Sequence, residues 1–219
     1  MKIIFCLPGN NFSGTFLQCW TNLISELPSN GIVYGLSQQS SCNIYSVRTK
    51  CLGASLDRGV DQKPFNGAHD YDYIMWIDSD IVFSPKQFFD LLESCGEDKS
   101  IVSGLYKMEG GKYFATVEHM DKEFFCKNAY YDFLTSKTLK KKRKLFRVDY
   151  TGMGWMLVKR GVVEAMEYPW FAPRVVEYDN GWREMMWDDV EFCTRARENG
   201  LDIWVNPKIV VGHEKKIVL

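Results

Sequence analysis

Runs of large apolar residues alternate with amphipathic segments along the first half of the chain. Lys2–Leu7 and Tyr73–Ile77 are almost entirely apolar, which predicts two buried strands. Between them, apolar residues spaced three and four apart predict a helix from Ser13 to about Leu27. Ile32–Leu36 predicts a second, short strand. The first half therefore begins as alternating strands and helices.

This alternation continues to residue 105. Ser84-Pro85 predicts the start of a helix that ends near Cys95, because serine caps helices and proline suits the first helical position. Ile101–Leu105 predicts the next strand. Strands that alternate with helices are typical of parallel sheets. We therefore expect an α/β domain with a mixed, mostly parallel central sheet flanked by helices.

The pattern is less regular after residue 105. Short strands are predicted at Tyr113–Val117, Glu123–Cys126 and Arg147–Tyr150, and helices at Gly161–Tyr168 and Asp188–Asn199. The sequence shows no internal repeat and no low-complexity linker. Residues 1–219 are therefore expected to form a single domain, and a continuation into a longer protein stays open.

Composition limits the classes of partner. A net charge of −1 over 219 residues gives no overall field toward nucleic acid. No signal peptide and no membrane span is visible in the sequence. The seven cysteines are scattered without metal-binding spacing, which favours free thiols. We expect a protein of the cytoplasm that does not bind nucleic acid.

The strongest candidate chemistry is the motif Asp78-Ser79-Asp80, which directly follows the strand at residues 73–77. Alternate residues of an extended chain point the same way, so both carboxylates can address one point. Two like charges that close are costly to bury unless a cation neutralises them. Carboxylate oxygens suit Mg²⁺ or Mn²⁺, which often also hold a phosphate. A capping turn is the alternative interpretation.

Ligands of open α/β sheets bind beyond the carboxyl ends of the strands. The acidic motif occupies one such end. The turn-rich segment Pro8-Gly9-Asn10 follows the first strand and occupies another. Both segments therefore lie where such sheets bind ligands.

A second acidic pair, Asp188-Asp189, opens the last long helix. Carboxylates are favoured in a first helical turn, so capping alone is one explanation. The pair also follows Trp182, Met185, Met186 and Trp187, whose bulk suits a sugar-sized pocket. One acid is then a candidate general base or a stabiliser of a cationic sugar centre.

Further candidates lie near the chain's end and beside the acidic motif. His213 ends the final strand as a candidate metal ligand, and Lys215 and Lys216 follow as candidate phosphate contacts. Arg58 precedes the acidic strand, where its guanidinium suits a diphosphate. Each has a plain structural alternative, because lone histidines and surface arginines are common.

Gly154-Trp155, within Thr151-Gly152-Met153-Gly154-Trp155, is the last candidate. Two glycines beside a tryptophan suit a backbone that approaches a ligand closely. A simple turn into the next strand explains the same pattern.

Taken together and in this order, these residues resemble the GT-A family of nucleotide-sugar glycosyltransferases over nearly the whole chain. The resemblance implies a GT-A (Rossmann-like) fold, with a nucleotide-binding half at about residues 1–105 and an acceptor half at about 106–219. It also implies that Pro8, Gly9, Asn10, Arg58, Ser79, Gly154, Trp155 and Lys215 bind the nucleotide sugar.

The resemblance also assigns roles at the reacting centre. Asp78 and Asp80 match the family's DxD motif, which holds Mn²⁺ or Mg²⁺ against the donor diphosphate, and His213 matches the histidine that completes the metal site in some members. Asp188-Asp189 matches the acidic motif nearest the reacting sugar. The family often has glutamate before aspartate there, so this departure leaves the role of each acid open.

The compact chain is especially similar to small viral glycosyltransferases of the chlorella-virus type, which decorate a capsid glycan. That similarity implies a UDP-sugar donor, with UDP-glucose first and a UDP-deoxyhexose second. It also implies a glycan acceptor and, for a viral protein, the host cytoplasm.

Two other classes stay open from the sequence. A haloacid-dehalogenase-like sugar phosphatase also places a DxD at a strand end, although normally on its first strand. A non-catalytic carbohydrate-binding module would use aromatic residues such as Trp155, Trp182 and Trp187.

Overall fold

The structure is a computed structural model that describes residues 1–215. Its strands are β1 (Lys2–Pro8), β2 (Val33–Gln39), β3 (Tyr73–Ile77), β4 (Ile81–Val82), β5 (Ile101–Leu105), β6 (Tyr113–Val117), β7 (Phe133–Thr135), β8 (Phe146–Val148), β9 (Tyr150–Thr151), β10 (Trp155–Lys159), β11 (Val175–Glu177), β12 (Arg183–Met185), β13 (Ile203–Val210) and β14 (Gly212–His213). Its helices are α1 (Gly14–Glu26), α2 (Ile44–Cys51), α3 (Pro85–Ser94), α4 (Lys122–Asn128), α5 (Ser136–Leu139) and α6 (Asp188–Glu198). Across residues 1–215, no helix is both long and apolar enough to cross a membrane.

A seven-stranded sheet in the order β2-β1-β3-β10-β5-β13-β8 forms the centre of the molecule. β1 pairs in parallel with β2 and β3, and β13 pairs in parallel with β5. β10 and β8 pair antiparallel with their neighbours. Five of the seven strands therefore run in one direction. The predicted mixed, mostly parallel sheet is confirmed.

Helices cover both faces of this sheet. Phe5 faces one side and packs in a cluster with Phe16 of α1 and Phe88 of α3. Trp76 faces the other side and packs in a cluster with Phe192 of α6. Because successive strand residues point to opposite faces, both sides of an apolar run are buried.

Capping contacts confirm the predicted starts of two helices. Ser13 Oγ accepts a hydrogen bond of 3.0 Å from the backbone N–H of Phe16 at the start of α1. Ser84 and Gln87 form a reciprocal capping box at the start of α3. Both helices lie on the same face of the sheet, so these caps determine where the helices that cover this face begin.

Two predictions for the second half are wrong. Residues Glu123–Cys126 lie in α4 and not in a strand, because Asp121 caps the first turn by accepting from the N–H of Phe124. Residues 161–168 form turns and not a helix. The hairpin of β11 and β12 was not predicted. α4 and this hairpin both help to enclose a pocket beyond the sheet.

Candidate active site

The loops after β1 and β3 touch at the edge where the parallel strands end. Gly9 has a φ of +129°, and a Cβ atom there would lie 2.9 Å from Ser79 Oγ. Only glycine adopts this backbone readily and leaves room for Ser79. The structure thus brings Gly9 and Ser79 together beside Pro8, and Asn10 is exposed next to them.

Asp80 forms the centre of a polar cluster at this edge. β14 pairs with β4 so that His213 lies opposite Ile81, directly beside Asp80. Asp80 Oδ2 lies 3.0 Å from His213 Nε2 and accepts a bond of 2.9 Å from Lys215 Nζ. Residues 213–215 are therefore folded back onto the acidic motif. Lys216, the other candidate phosphate contact, lies outside the described residues.

Electrostatics keep Asp80 ionised. Partial burial alone would raise its pKa, but hydrogen bonds from His213 and Lys215 outweigh burial and lower the pKa to about 2. Burial likewise opposes the charge of His213, yet its bonds to Asp80 and to a backbone carbonyl raise its pKa. An ionised carboxylate and an imidazole ring therefore meet at one point, and the ring would bind a metal through Nε2 once that nitrogen has lost its proton.

The donor set at Asp80 fits a divalent cation that is shared with a phosphate. His213 Nδ1 lies 2.6 Å from the carbonyl oxygen of Lys107, so Nδ1–H donates there and Nε2 is directed toward Asp80. Mn²⁺ and Mg²⁺ are commonly held by one or two protein ligands together with substrate phosphates and water. No group of three or more acidic, histidine or cysteine side chains that could hold a metal ion occurs among residues 1–215.

Asp78 has a different partner, the buried residue Arg48 of α2. Arg48 Nη1 and Nη2 donate to the two carboxylate oxygens of Asp78 at 3.0 and 3.2 Å. Arg48 Nε donates to Asp188, so one guanidinium bridges the two acidic motifs. The side chain of Arg48 is only 4% exposed. Asp78 is therefore held by the buried Arg48, whereas Asp80 is held through Oδ2 by His213 and Lys215 and is the candidate metal ligand of the motif.

Sequence reasoning missed Arg48. Burial would lower the pKa of its guanidinium, but Asp78 and Asp188 raise the pKa above the ordinary value. The guanidinium also lies 5.5 Å from the ring centre of Trp76. One sequence signal was present: Arg48 precedes the buried Leu52 by one helical turn, so a charged residue occupies the apolar face of α2.

Arg58 is not brought to the acidic motif. Its Nη1 donates to the carbonyl oxygen of Gly53 at 2.7 Å, and the residue is exposed. Within residues 1–215 the arginine that contacts the motif is Arg48, not Arg58. Sequence proximity to the acidic strand does not determine which side chains face it, and the role of Arg58 in binding the nucleotide sugar stays a prediction.

Gly154 lies against the acidic motif, whereas the Trp155 side chain does not reach the surface. The carbonyl oxygen of Gly154 accepts from the N–H of Asp78 at 3.1 Å, and a Cβ there would lie 3.1 Å from the Tyr106 ring. Trp155 is fully buried, with its ring 4.8 Å from that of Phe83. The indole is inaccessible to a donor sugar, which corrects its predicted role.

The two acids at the start of α6 have different environments. Asp188 is bound by Arg48, while Asp189 accepts a hydrogen bond of 3.1 Å from the Tyr150 hydroxyl. Burial and the neighbouring charge of Asp188 raise the pKa of Asp189 to about 7. Asp189 therefore holds a proton more readily than an ordinary aspartate does.

A pocket of about 440 Å³ opens from these acids, away from the sheet. Its lining residues come from α4, β7, β9, the β11–β12 hairpin and the start of α6. The predicted bulky residues Met185, Met186 and Trp187 line it, and Trp182 packs edge-on against Phe125 of its floor. The volume suits a small organic ligand.

Sequence comparisons are negative. No protein-family profile matches the chain. No curated protein matches it either.

Solved structures, in contrast, share its fold. A197 from STIV matches with a TM-score of 0.55 and 16% identity, over 100% of this chain and 97% of that one. The catalytic domain of Drosophila beta1,4-galactosyltransferase 7, in complex with xylobiose, matches with a TM-score of 0.52 and 15% identity over 98% and 71%. GalNAc-T7 with UDP, GalNAc and Mn²⁺ matches with a TM-score of 0.59 and 10% identity over 99% and 44%. These similarities confirm the predicted GT-A fold.

Proposed function

We propose, from the premise of a GT-A fold, that this chain is a metal-dependent glycosyltransferase that moves a hexose from a UDP-sugar to a glycan acceptor. One observation supports this most strongly. Arg48 joins the acidic motif to the Asp188-Asp189 pair, so a phosphate-type site and a proton-accepting carboxylate belong to one connected site.

The donor end of the proposed site is built around Asp80. Asp80 and His213 would hold Mn²⁺ or Mg²⁺, and Lys215 would contact a phosphate oxygen. A bound ion would supply Lewis-acid stabilisation to the departing diphosphate. The adjoining loop of Pro8, Gly9 and Asn10 would receive the nucleoside, in the region where open α/β sheets bind nucleotides.

At the reacting end, Asp188 and Asp189 would have different roles. Asp189 would take the proton of the acceptor hydroxyl as it attacks the anomeric carbon, because a pKa near neutrality suits a general base. Asp188, held by Arg48, would orient the start of α6 and balance the guanidinium. This division of roles corresponds to a reaction that inverts the configuration of the transferred sugar.

Neighbouring structures guide the choice of ligands. GalNAc-T7 was solved with UDP, GalNAc and Mn²⁺, and the Drosophila galactosyltransferase with xylobiose. We propose that the donor of this chain is likewise a UDP-sugar. UDP-glucose is the first candidate to test and a UDP-deoxyhexose is the second. A role on a viral capsid glycan, in the host cytoplasm, is the corresponding biological proposal.

A sugar phosphatase of the haloacid-dehalogenase type fits the site less well. That chemistry needs a free aspartate nucleophile, yet Asp78 is bound at both oxygens by Arg48. A purely sugar-binding module would explain the aromatic pocket but not the polar cluster of Asp80, His213 and Lys215.

Nucleotide binding is expected to depend on Mn²⁺ and on Asp80. Calorimetry with UDP, GDP and CMP, each with and without Mn²⁺, should show tight binding of UDP only when the metal is present. Asp80→Ala should weaken that binding about 10- to 100-fold, as loss of a metal-site residue typically does. The exposed Asp98 offers the control Asp98→Ala, which should bind UDP normally. If UDP binding were the same without Mn²⁺ and in Asp80→Ala, the assignment of Asp80 to a metal site would be contradicted.

A further inference from the structure

Among residues 1–215, the charged side chains that line the pocket are acidic. They are Glu184, Asp188 and Asp189, and no lysine, arginine or histidine of this described part lines the pocket. The Arg48 guanidinium pairs with Asp188 and neutralises its charge. Glu184 and Asp189 therefore determine the charge that a ligand in the pocket meets. An anion entering this space would meet like charge without a cation to pair with.

The donor end, in contrast, includes a lysine side chain. Lys215 and His213 cluster around Asp80, on the side of the site that would receive a diphosphate. The described donor end therefore offers an anionic group the Lys215 ammonium, whereas the described lining of the acceptor pocket offers it no cation. This difference distinguishes anionic from neutral ligands within one site.

The floor of the pocket is a fixed aromatic platform. Phe125 stacks on Tyr178 with ring centres 4.6 Å apart and an angle of 19° between the planes. Tyr131 lies 4.6 Å from the same Phe125 ring, and its hydroxyl is 2.8 Å from that of Tyr178. Phe125 and Tyr178 are themselves buried and fix the orientation of the partly exposed Tyr131, so the Tyr131 ring is preorganised for a flat ligand face.

The rim of the pocket exposes further apolar surface. Trp187 is 69% exposed, Met185 56% and Tyr130 50%. Apolar side chains grouped around a concave site mark a ligand surface. Amphipathic rings such as Trp and Tyr suit ligands that have an apolar face and polar edges, as sugars do.

We infer that the acceptor is a neutral saccharide that packs on this aromatic platform, and that Glu184 excludes acceptors with a carboxylate or phosphate group. The inference rests on the proposed glycosyltransferase function and specifies its acceptor class. Glu184 acts as a specificity residue because it lies on β12 at the pocket wall. Asp189, which accepts a hydrogen bond from Tyr150, is assigned instead to accept the proton of the acceptor hydroxyl.

Saccharide binding without any donor tests this inference separately from turnover. Tryptophan fluorescence or NMR titration would compare neutral disaccharides, such as cellobiose and maltose, with the same sugars oxidised to uronates. We expect the neutral form to bind at least about tenfold more tightly, the scale of one like charge at short range near a protein surface. Equal binding of the uronates, or binding of neither neutral sugar, would overturn the inference.

The hairpin provides a matched pair of variants. Glu184 lines the pocket, whereas Glu177 on β11 is an exposed glutamate that does not. Glu184→Lys should narrow or reverse the preference for neutral over anionic sugars by about tenfold, and Glu177→Lys should leave it unchanged. An equal effect of both substitutions would contradict a role for Glu184. Selective sugar binding without turnover of any UDP-sugar would instead refute the proposed function alone.

Discussion

Replacing Arg48 by methionine is expected to lower the free energy of unfolding by about 3–5 kcal/mol, the usual cost of removing one partner from a buried ion pair. Methionine fills a similar volume but leaves Asp78 and Asp188 without their cation. Urea denaturation followed by circular dichroism measures the change. The double variant Arg48→Met, Asp188→Asn should recover part of the loss, because one of the stranded charges is then removed.

An exposed arginine supplies the control. Arg147 pairs with Asp202, and its side chain is 66% exposed. Arg147→Met should therefore cost no more than about 1 kcal/mol. If Arg48→Met and Arg147→Met lost the same stability, the bridge between the two acidic motifs would not be a structural element of the site.

Replacing Asp189 by asparagine is expected to lower kcat by about 10²- to 10⁴-fold, the range that general-base catalysis contributes. An amide keeps the shape of the side chain but cannot accept the proton. The wild-type kcat/KM should rise with pH through about 7 and then level off, because Asp189 must be deprotonated to act and its pKa is raised to about 7. Rates of UDP release between about pH 5.5 and 9 measure both effects.

Tyr150→Phe extends this test. The Tyr150 hydroxyl donates to Asp189 and lowers its pKa against the larger effect of burial, so the phenylalanine variant should move the rising limb to higher pH. The Asp189→Asn variant should lose the limb. If the rise of kcat/KM with pH persisted in Asp189→Asn, another group would be responsible for that titration.

Much of the fold was predictable from local patterns. Apolar runs identified β1 and β3, and the caps at Ser13 and Ser84 identified the starts of two helices. The strand predicted at Glu123–Cys126 failed because a short apolar run does not distinguish strand from helix, and the cap at Asp121 decided it.

The site residues that lie at the ends of strands were predictable from the sequence. Asp80 and His213 were both identified as strand-end residues, and the structure brings them to 3.0 Å. Arg48 and the aromatic floor were not predictable in the same way. Arg48 meets Asp78 from 30 residues away and Asp188 from 140 residues away, and such contacts depend on how α2 and α6 pack against the sheet.

Donor turnover tests the central claim most directly. The chain would be incubated with UDP-glucose or UDP-rhamnose and Mn²⁺, with and without EDTA, and the products analysed by mass spectrometry. The account predicts UDP together with a sugar transferred to an added glycan or to water, abolished by EDTA and strongly reduced by Asp189→Asn. Release of inorganic phosphate from a sugar phosphate, with every UDP-sugar left intact, would contradict it.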